Sequence, residues 1–182
     1  MNLFRILADL EENDELHEGR LLVLLSVFAG RKGNQTIEGL TKLAKLDFLL
    51  RYPVFLERAL RAGNTDAQEA NVAEHERKSV ESTMVRYRYG PWDFRYRRFI
   101  NLLVAKDLVT VEVRGRTIHI GLTDAGLEIA KQLAENDAYS DIANRSRLLK
   151  RHFDWAPTRL MKFIYATFPE IVTLRLGEEI EQ

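Results

Sequence analysis

The sequence predicts an α+β fold that is mostly helical. Apolar residues recur at helical spacings of three and four through most of the chain, whereas the clearest alternation of apolar and polar residues lies between Val109 and Leu122. Hydrophobic residues make up 46% and charged residues 30% of the 182 positions, which is typical of a folded globular chain. A chain of this length buries either one core of ordinary size or a small domain with a substantial appendage.

Charge and cysteine content limit the classes of function. The 27 basic residues equal the 27 acidic residues, so no global field draws the chain to a polyanion, and DNA binding requires local segregation of charge. The absence of cysteine excludes disulfides, thiol nucleophiles and thiolate metal sites, and it favours a cytoplasmic location. The longest apolar run, at 21–29, has about half of the ~20 residues that a membrane span requires, so it predicts a buried helix.

The N-terminal third of the chain predicts helices joined by short connections. Residues 1–19 are acidic but carry apolar residues at helical spacing, so they predict a separate acidic N-terminal helix. An apolar helix is expected from residue 20 to the glycine loop at 30–34. Thr36 is a good N-cap for the next helix, and Pro53 suits the first position of a helix that ends at the following glycine.

The middle of the chain begins with a polar insertion. Residues 64–79 have almost no apolar side chains, so they predict either a mobile connection or an exposed polar helix. A β-prone segment at 83–89 and a break at Gly90-Pro91 follow. The next helix is expected to turn one face inward, formed by Trp92, Tyr96, Phe99 and Leu103. In the stretch 85–99, where arginines alternate with aromatic residues, most of the aromatic residues are therefore interpreted as scaffold and the arginines as surface.

The alternating segment predicts a β-hairpin that turns at Gly115-Arg116. Glycine at the first position of a two-residue loop suits a type II′ turn. The resulting register pairs Val113 with Ile118, Val111 with Ile120 and Val109 with Leu122. Thr123 then caps a helix that continues to about Leu133.

Residues 136–182 predict a C-terminal helical extension. A helix is expected from about 138 to 153. One of its faces is basic and is formed by Arg145, Arg147, Lys150 and Arg151. This face is expected to contact solvent, phosphate or the acidic surface of a partner. The last helix is expected between Pro157 and Pro169. It has apolar residues on more than one side, so part of it either packs against another chain or folds back. A short alternating segment at 171–176 leads into the acidic tail.

The order of these elements is that of a winged helix-turn-helix domain. Three helices, a strand, a further helix and a tight hairpin precede the helix that Thr123 caps. We expect this domain to span 20–135, with the insertion at 64–79 before its last core helix. Winged helices bind DNA and equally bind other proteins, so this fold does not by itself assign a function.

Two short motifs carry a resemblance to a known family. Residues 43–53 read LAKLDFLLRYP, and residues 89–93 read YGPWD. With them, the stretch 20–133 resembles the winged-helix middle components of bacterial ABC-three-component systems, whose relatives include Lamassu-type antiphage systems. The resemblance implies a non-enzymatic subunit that works beside an SMC-like or Rad50-like ATPase and a separate effector, often a nuclease.

The sequence shows no catalytic constellation. The four histidines are scattered, with no spacing that brings two of them onto one helical face as metal ligands. His119 is expected opposite Glu112 in the hairpin, as a solvated cross-strand pair. No phosphate-binding loop and no serine-hydrolase elbow occurs. We therefore expect a protein that is not an enzyme and has no metal and no cofactor.

Basic side chains are the candidate contacts with DNA or a partner. The helix after Pro53 is the candidate for reading a DNA groove, although its polar residues are only Glu57, Arg58 and Arg61. The arginines at the tip of the predicted wing could reach a minor groove or phosphates. The full set of candidate contact residues is Arg86, Arg88, Arg95, Arg98, Arg114, Arg116, Arg147, Lys150 and Arg151.

Two functions remain open from the sequence. The first is a non-catalytic winged-helix adaptor that links the ATPase to the effector of the same operon in an antiphage complex, with DNA contacted directly, through the complex, or not at all. The alternative is a dimeric winged-helix transcription regulator that binds duplex DNA.

Overall fold

The computed structural model describes residues 13–78 and 84–180 and confirms the α+β, mostly helical class. Within these ranges the helices are α1 (Asp14–Phe28), α2 (Leu40–Arg51), α3 (Pro53–Ala62), α4 (Tyr96–Ala105), α5 (Asp124–Glu135), α6 (Ser140–Phe153), α7 (Pro157–Thr167) and α8 (Pro169–Thr173). The strands are β1 (Ile37–Glu38), β2 (Val85–Tyr87), β3 (Gly90–Trp92), β4 (Val109–Arg114) and β5 (Thr117–Leu122). Short 3₁₀ turns lie at Ala67–Ala70, Glu76–Lys78 and Asp137–Tyr139.

The strands form two small antiparallel sheets, one with the order β1-β5-β4 and one made of β2 and β3. The predicted register of the β4–β5 hairpin is confirmed, including the pairs Val113 with Ile118 and Glu112 with His119. Gly115 has a φ of +62°, as the first position of a type II′ turn requires. The cap of α5 is also confirmed, because the Thr123 side chain accepts the amide of the residue three positions later at 2.9 Å.

A strand occupies the place where a helix was expected to begin. Ile37 pairs with Ile120 of β5, and the Gly39 amide donates to the Ile118 carbonyl at 2.8 Å. Gly39 is therefore the N-cap of α2, and the predicted cap at Thr36 is wrong. The spacing of the apolar residues suited a helix, but pairing with β5 gives these backbone groups partners that the first turn of a helix lacks.

Helix α1 lies at the centre of the core. It packs against α4, α5, α6 and β5, and residues such as Leu21, Val23 and Leu24 are fully buried. Residues 1–12 of the expected acidic helix lie outside the described residues. The expected boundary at residue 20 falls inside α1, which begins after Asn13, whose side chain accepts the Glu15 amide at 3.0 Å.

The C-terminal helices share this core. Helix α6 packs against α1 and α2, and α7 packs against α2, α3 and β3. Leu160, Ile164 and Phe168 are fully buried, and the remaining large apolar residues of α7 are partly buried. Of the two alternatives for this helix, folding back is the one observed. Pro169 does not end the helical region, because it begins α8 at a position where proline needs no amide partner.

The polar insertion, described as far as residue 78, forms two 3₁₀ turns held between α3 and α6. The Arg145 guanidinium lies 2.6 Å from Glu76 and donates to the carbonyls of Ala70 and Asn71 at 3.1 and 3.0 Å. The side chain of Arg145 is only 6% exposed. This part of the basic face on α6 therefore binds the chain's own insertion rather than solvent or a partner, and the described part of the insertion is joined to α6.

The C-terminal tail returns to the β2–β3 hairpin, which replaces the predicted Gly-Pro break. Trp92 lies in β3 rather than in the helix, which begins at Tyr96. The Arg86 amide donates to the Glu178 carbonyl, and the Ile180 amide donates to the Met84 carbonyl, each at 2.8 Å. The tail thus covers the outer edge of β2. No helix within 13–78 and 84–180 has the length and apolar character to cross a membrane.

Candidate ligand-binding groove

An open groove of about 420 Å³ lies between the β2–β3 hairpin, the start of α4 and the start of α2. We call it the aromatic groove, and its lining residues are Leu40, Thr41, Tyr87, Tyr89, Trp92, Phe94 and Arg97. Tyr87 is 42% exposed, Tyr89 50% and Phe94 66%. Within the described ranges no other aromatic side chain is as exposed. The interpretation of the aromatic residues as scaffold therefore holds for Tyr96 and Phe99 but is wrong for these three.

The rings of the groove contact one another and the core. Tyr87 stacks on Trp92 with centroids 5.6 Å apart and an interplanar angle of 27°. Phe94 meets Tyr87 edge-on at 6.1 Å, and Trp92 meets the buried Tyr96 edge-on at 5.6 Å. Tyr87, Trp92 and Phe94 are thus each held by a neighbouring ring, so this part of the groove presents a pre-ordered aromatic surface.

An ionic cluster beneath the groove fixes the start of α4. Asp93 accepts from Arg51 at 2.9 Å and from the Arg95 side chain at 2.8 Å, and it also accepts the Arg95 amide at 2.9 Å. Burial opposes the charge of Asp93, but the hydrogen bonds from Arg95 and the charge of Arg51 outweigh it, and the pKa of Asp93 is well below its usual range. Phe94 is therefore held between two anchored residues. The contact of Arg51 with Asp93 also joins the two sequence motifs.

A second buried cluster joins α1, α2 and α4. Asp47 accepts from Arg20 at 2.7 and 3.1 Å and from the Tyr96 hydroxyl at 2.7 Å. His17 lies 2.8 Å from Arg20. Burial opposes ionisation of Asp47, but the Arg20 charge and hydrogen bonds lower its pKa, whereas burial raises the pKa of Tyr96. Asp47 has no exposed surface, so this cluster positions helices and does not meet a ligand.

Lys45 lies between α2 and the hairpin with only 2% of its surface exposed. Its Nζ donates to the Thr41 carbonyl at 2.8 Å, and its side chain packs beneath Gly90. Burial lowers the pKa of Lys45 to about 8. Lys45 therefore connects the start of α2 with the start of β3.

Two of the predicted contact residues are used to build this region. Arg86 is partly buried and donates to the Leu174 carbonyl, and Arg95 pairs with Asp93. Both side chains therefore stabilise the hairpin and the start of α4. Arg88, the next predicted residue, is exposed on the turn between Tyr87 and Tyr89 and makes no ion pair with a described residue.

The predicted contact residues on α6 face the chain itself or solvent. Lys150 lies 2.6 Å from Asp154, and Arg151 lies 3.0 Å from Glu69 of the insertion. Arg147 is exposed and hydrogen-bonds within its own helix. The structure does not bring these residues together with those of the groove into one surface.

The predicted contacts at the hairpin tip are exposed. Arg114 lies 2.7 Å from Glu112, and both side chains are more than half exposed, at 57% and 56%. Arg116 is exposed and has no ion pair with the part of the chain that the structure describes.

Helix α4, and not the helix after Pro53, lies directly before the β4–β5 hairpin and packs against β4. In α3, the candidate for reading a groove, Arg58 pairs with Glu170 at 2.5 Å, so this side chain is engaged within the molecule. The exposed face of α4 carries Arg97, Arg98 and Asn101, and the predicted contact residue Arg98 lies 2.5 Å from Asp14 of α1. The sequence analysis counted Arg97 only among the surface arginines and missed Asn101, although their spacing of four is the signal that places both on one face of α4.

Comparison with protein-family models, with curated proteins and with solved structures gives no match for the chain. Among residues 13–78 and 84–180, no group of three histidine or carboxylate side chains is placed to hold a metal ion.

Proposed function

We propose that the protein is a cytoplasmic, non-catalytic winged-helix adaptor that binds an SMC-like or Rad50-like ATPase and an effector of the same operon in an antiphage complex. The resemblance of residues 43–53 and 89–93 to the middle components of such systems supports the identity of the partners. The observation that carries a binding role is the aromatic groove, because a pre-ordered, exposed aromatic surface of this kind marks an interaction site.

The arrangement of the elements supports a winged helix. Helix α1 precedes β1, α2 follows, and α4 stands directly before the hairpin of β4 and β5. The sheet order β1-β5-β4 places the first strand beside the last, as a winged helix requires. In this assignment α4 takes the place of the recognition helix, and α3, the 3₁₀ turns and the β2–β3 hairpin are inserted before it.

The distribution of ionic groups supports an adaptor rather than an enzyme. Asp47, Asp93 and Arg145 are buried and bonded to charges of their own chain, so they connect helices. The described residues that line the groove include one charged side chain, Arg97, and no acid-base pair. A surface formed by aromatic rings and one cation suits the binding of a partner. The rings supply contact area, and the few polar groups orient the partner.

Co-expression with the neighbouring genes tests this proposal. The tagged chain is expected to co-purify with the ATPase and the effector, and Phe94→Ala is expected to weaken the complex. The matched control is Leu176→Ala, because Leu176 has the same exposed fraction of 66% and does not line the groove. A chain that always purifies alone would contradict the proposal.

A second candidate function is that of a dimeric regulator that binds duplex DNA. It is favoured by the exposed Arg97 and Asn101 on α4 and by Arg116 at the hairpin tip, whereas Arg98 is paired with Asp14 of α1. Arginine and asparagine are residues that read guanine and adenine in a major groove. This candidate predicts duplex binding that falls steeply with salt, and the absence of binding to any duplex at low salt would remove it.

A further inference from the structure

We infer that the aromatic groove binds the unpaired bases of single-stranded nucleic acid. This inference goes beyond the proposed adaptor function, which uses the groove for a protein partner and requires no nucleic acid there, so the two ligands would compete for the groove. It commits to a class of ligand that neither the adaptor nor the duplex-binding candidate assigns to these residues.

The first argument is the kind of surface that the groove offers. Proteins that hold single strands stack successive bases on exposed aromatic side chains, because every base has a face that a ring can cover. Tyr87, Tyr89 and Phe94 are each between 42% and 66% exposed, although folding normally buries rings of this size. Their exposure in one groove, with Trp92 stacked behind Tyr87, gives a base several adjacent rings to contact.

The second argument is charge. Among the described residues that line the groove, Arg97 is the one charged side chain, and it makes no ion pair within 13–78 and 84–180. Arg88 is exposed on the turn between two of the groove's tyrosines. The acid nearest in sequence, Asp93, is 6% exposed and neutralised by Arg51 and Arg95, so it does not repel a phosphate. The groove thus combines aromatic faces with uncompensated positive charge, as single-strand binding requires.

The third argument separates this ligand from peptides. Aliphatic grooves suit amphipathic helices, but Leu40 is the only aliphatic side chain among the described residues that line this groove. Proline-rich peptides also bind aromatic-lined grooves. They carry no regular negative charge that would use Arg88 and Arg97, whereas a nucleic acid supplies one phosphate for each base.

The test measures binding by the full chain to a fluorescein-labelled oligothymidylate of about 16 nucleotides, the upper end of the range for such sites. A duplex of the same length serves as the competing ligand. Fluorescence anisotropy gives the affinity at several salt concentrations. In a Trp155→Phe background, Trp92 is the only tryptophan left, so its quenching reports a base stacked in the groove. We expect tighter binding to the single strand than to the duplex, with quenching of Trp92.

Variants assign the binding to the groove. Phe94→Ala and Tyr89→Ala are each expected to weaken single-strand binding by roughly 5-fold to 150-fold, the usual loss when one stacking ring is removed. Leu176→Ala, which removes an equally exposed side chain outside the groove, is expected to leave it unchanged. Arg97→Gln is expected to reduce the slope of log affinity against log salt by about 0.7, whereas Arg147→Gln leaves the slope as it is. Circular dichroism checks that each variant is folded.

Several results would overturn the inference. One is that the chain does not bind the single strand, or binds the duplex more tightly. Another is that Phe94→Ala and Leu176→Ala weaken single-strand binding equally. The last is that a proline-rich peptide quenches Trp92 and the oligonucleotide does not. None of these measurements includes the ATPase or the effector. Failure of the binding test would therefore not contradict the adaptor proposal, which the co-purification experiment tests. Failure of co-purification would likewise not contradict this inference.

Discussion

Asp47 connects three helices through a single carboxylate. Its oxygens accept from Arg20 of α1 and from Tyr96 of α4, while Asp47 itself lies on α2. Taking such a charge out of water is costly, so the carboxylate is stable only while its partners remain in place. The relative position of these helices, and with it the start of α4 at the aromatic groove, therefore depends on this residue.

We expect Asp47→Asn to lower the free energy of unfolding by about 3 to 5 kcal/mol, because Arg20 would keep a nearly buried charge without its counter-ion. Urea denaturation followed by circular dichroism measures the change. The matched control is Glu112→Gln, which breaks the exposed pair with Arg114 and should cost less than about 1 kcal/mol. Equal losses in the two variants would contradict a special role for Asp47.

For single residues, the sequence predicted which side chains share a face of a strand or helix. It did not predict how much of each face other segments of the chain would bury. Alternation placed Tyr87 and Tyr89 on the same side as Val85, and this interpretation took them as scaffold. Coverage of that side depends on the start of α2, more than 30 residues earlier in the chain, which leaves a groove open there. No local pattern contains this information.

Arg145 acts at the scale of an element, because one guanidinium holds the insertion on α6. It bonds to two carbonyls and one carboxylate of the segment 70–76. The segment has little apolar surface of its own, and Ala70 is its fully buried residue among those described. Polar contacts with α6 therefore replace the hydrophobic burial that normally orders a loop.

We expect Arg145→Met to speed amide hydrogen exchange in residues 67–77 by roughly ten-fold or more, since hydrogen bonds to charged groups are worth about 1.5 to 3 kcal/mol. The Ala73 amide, which donates to Glu76 at 2.9 Å, is the best single reporter. Arg147→Met alters an exposed arginine of the same helix and should leave exchange in this segment unchanged. Unchanged exchange in Arg145→Met would show that the insertion is held by other contacts.

Elements whose signals are local were predicted well. The β4–β5 register, the Thr123 cap and the helix that begins at Pro53 each follow from residues that are neighbours in sequence. Strands β1 and β3 were missed because each exists by pairing with, or packing on, another segment. The position of α4 directly before the hairpin was not used in the sequence analysis, which took the helix after Pro53 as the candidate for reading a groove. The local patterns of these two helices are alike, and only their packing partners distinguish them.

The whole molecule is expected to respond to alkaline pH through Lys45. Its pKa in the folded state is about 8, below the ordinary value of 10.5, so between these values the unfolded chain binds more protons. Stability must then rise with pH across this window, because the cost of burying the charge is present below about pH 8 and fades above it. Above about pH 10 the raised pKa of Tyr96 acts in the opposite direction.

We expect the free energy of unfolding of the native chain, relative to a Lys45→Met variant, to increase by about 2 to 3 kcal/mol between about pH 7 and about pH 10. Urea denaturation of both proteins at a series of pH values measures this difference. Lys131→Met, at an exposed position of α5, controls for the loss of one positive charge. A difference that stays constant with pH would show that Lys45 keeps its ordinary pKa.

The tail that covers β2 also has a consequence for synthesis. Glu178 and Ile180 are joined to the chain about ninety residues after the strand that they cover. At a translation rate of about 5 to 20 residues per second, the tail is synthesised roughly 5 to 20 s after β2, and the edge of β2 stays unpaired until then. During that interval the hairpin has an open edge of the kind that pairs with other chains. Nascent chains on neighbouring ribosomes are therefore most prone to associate in this interval, and the arrival of the tail ends it.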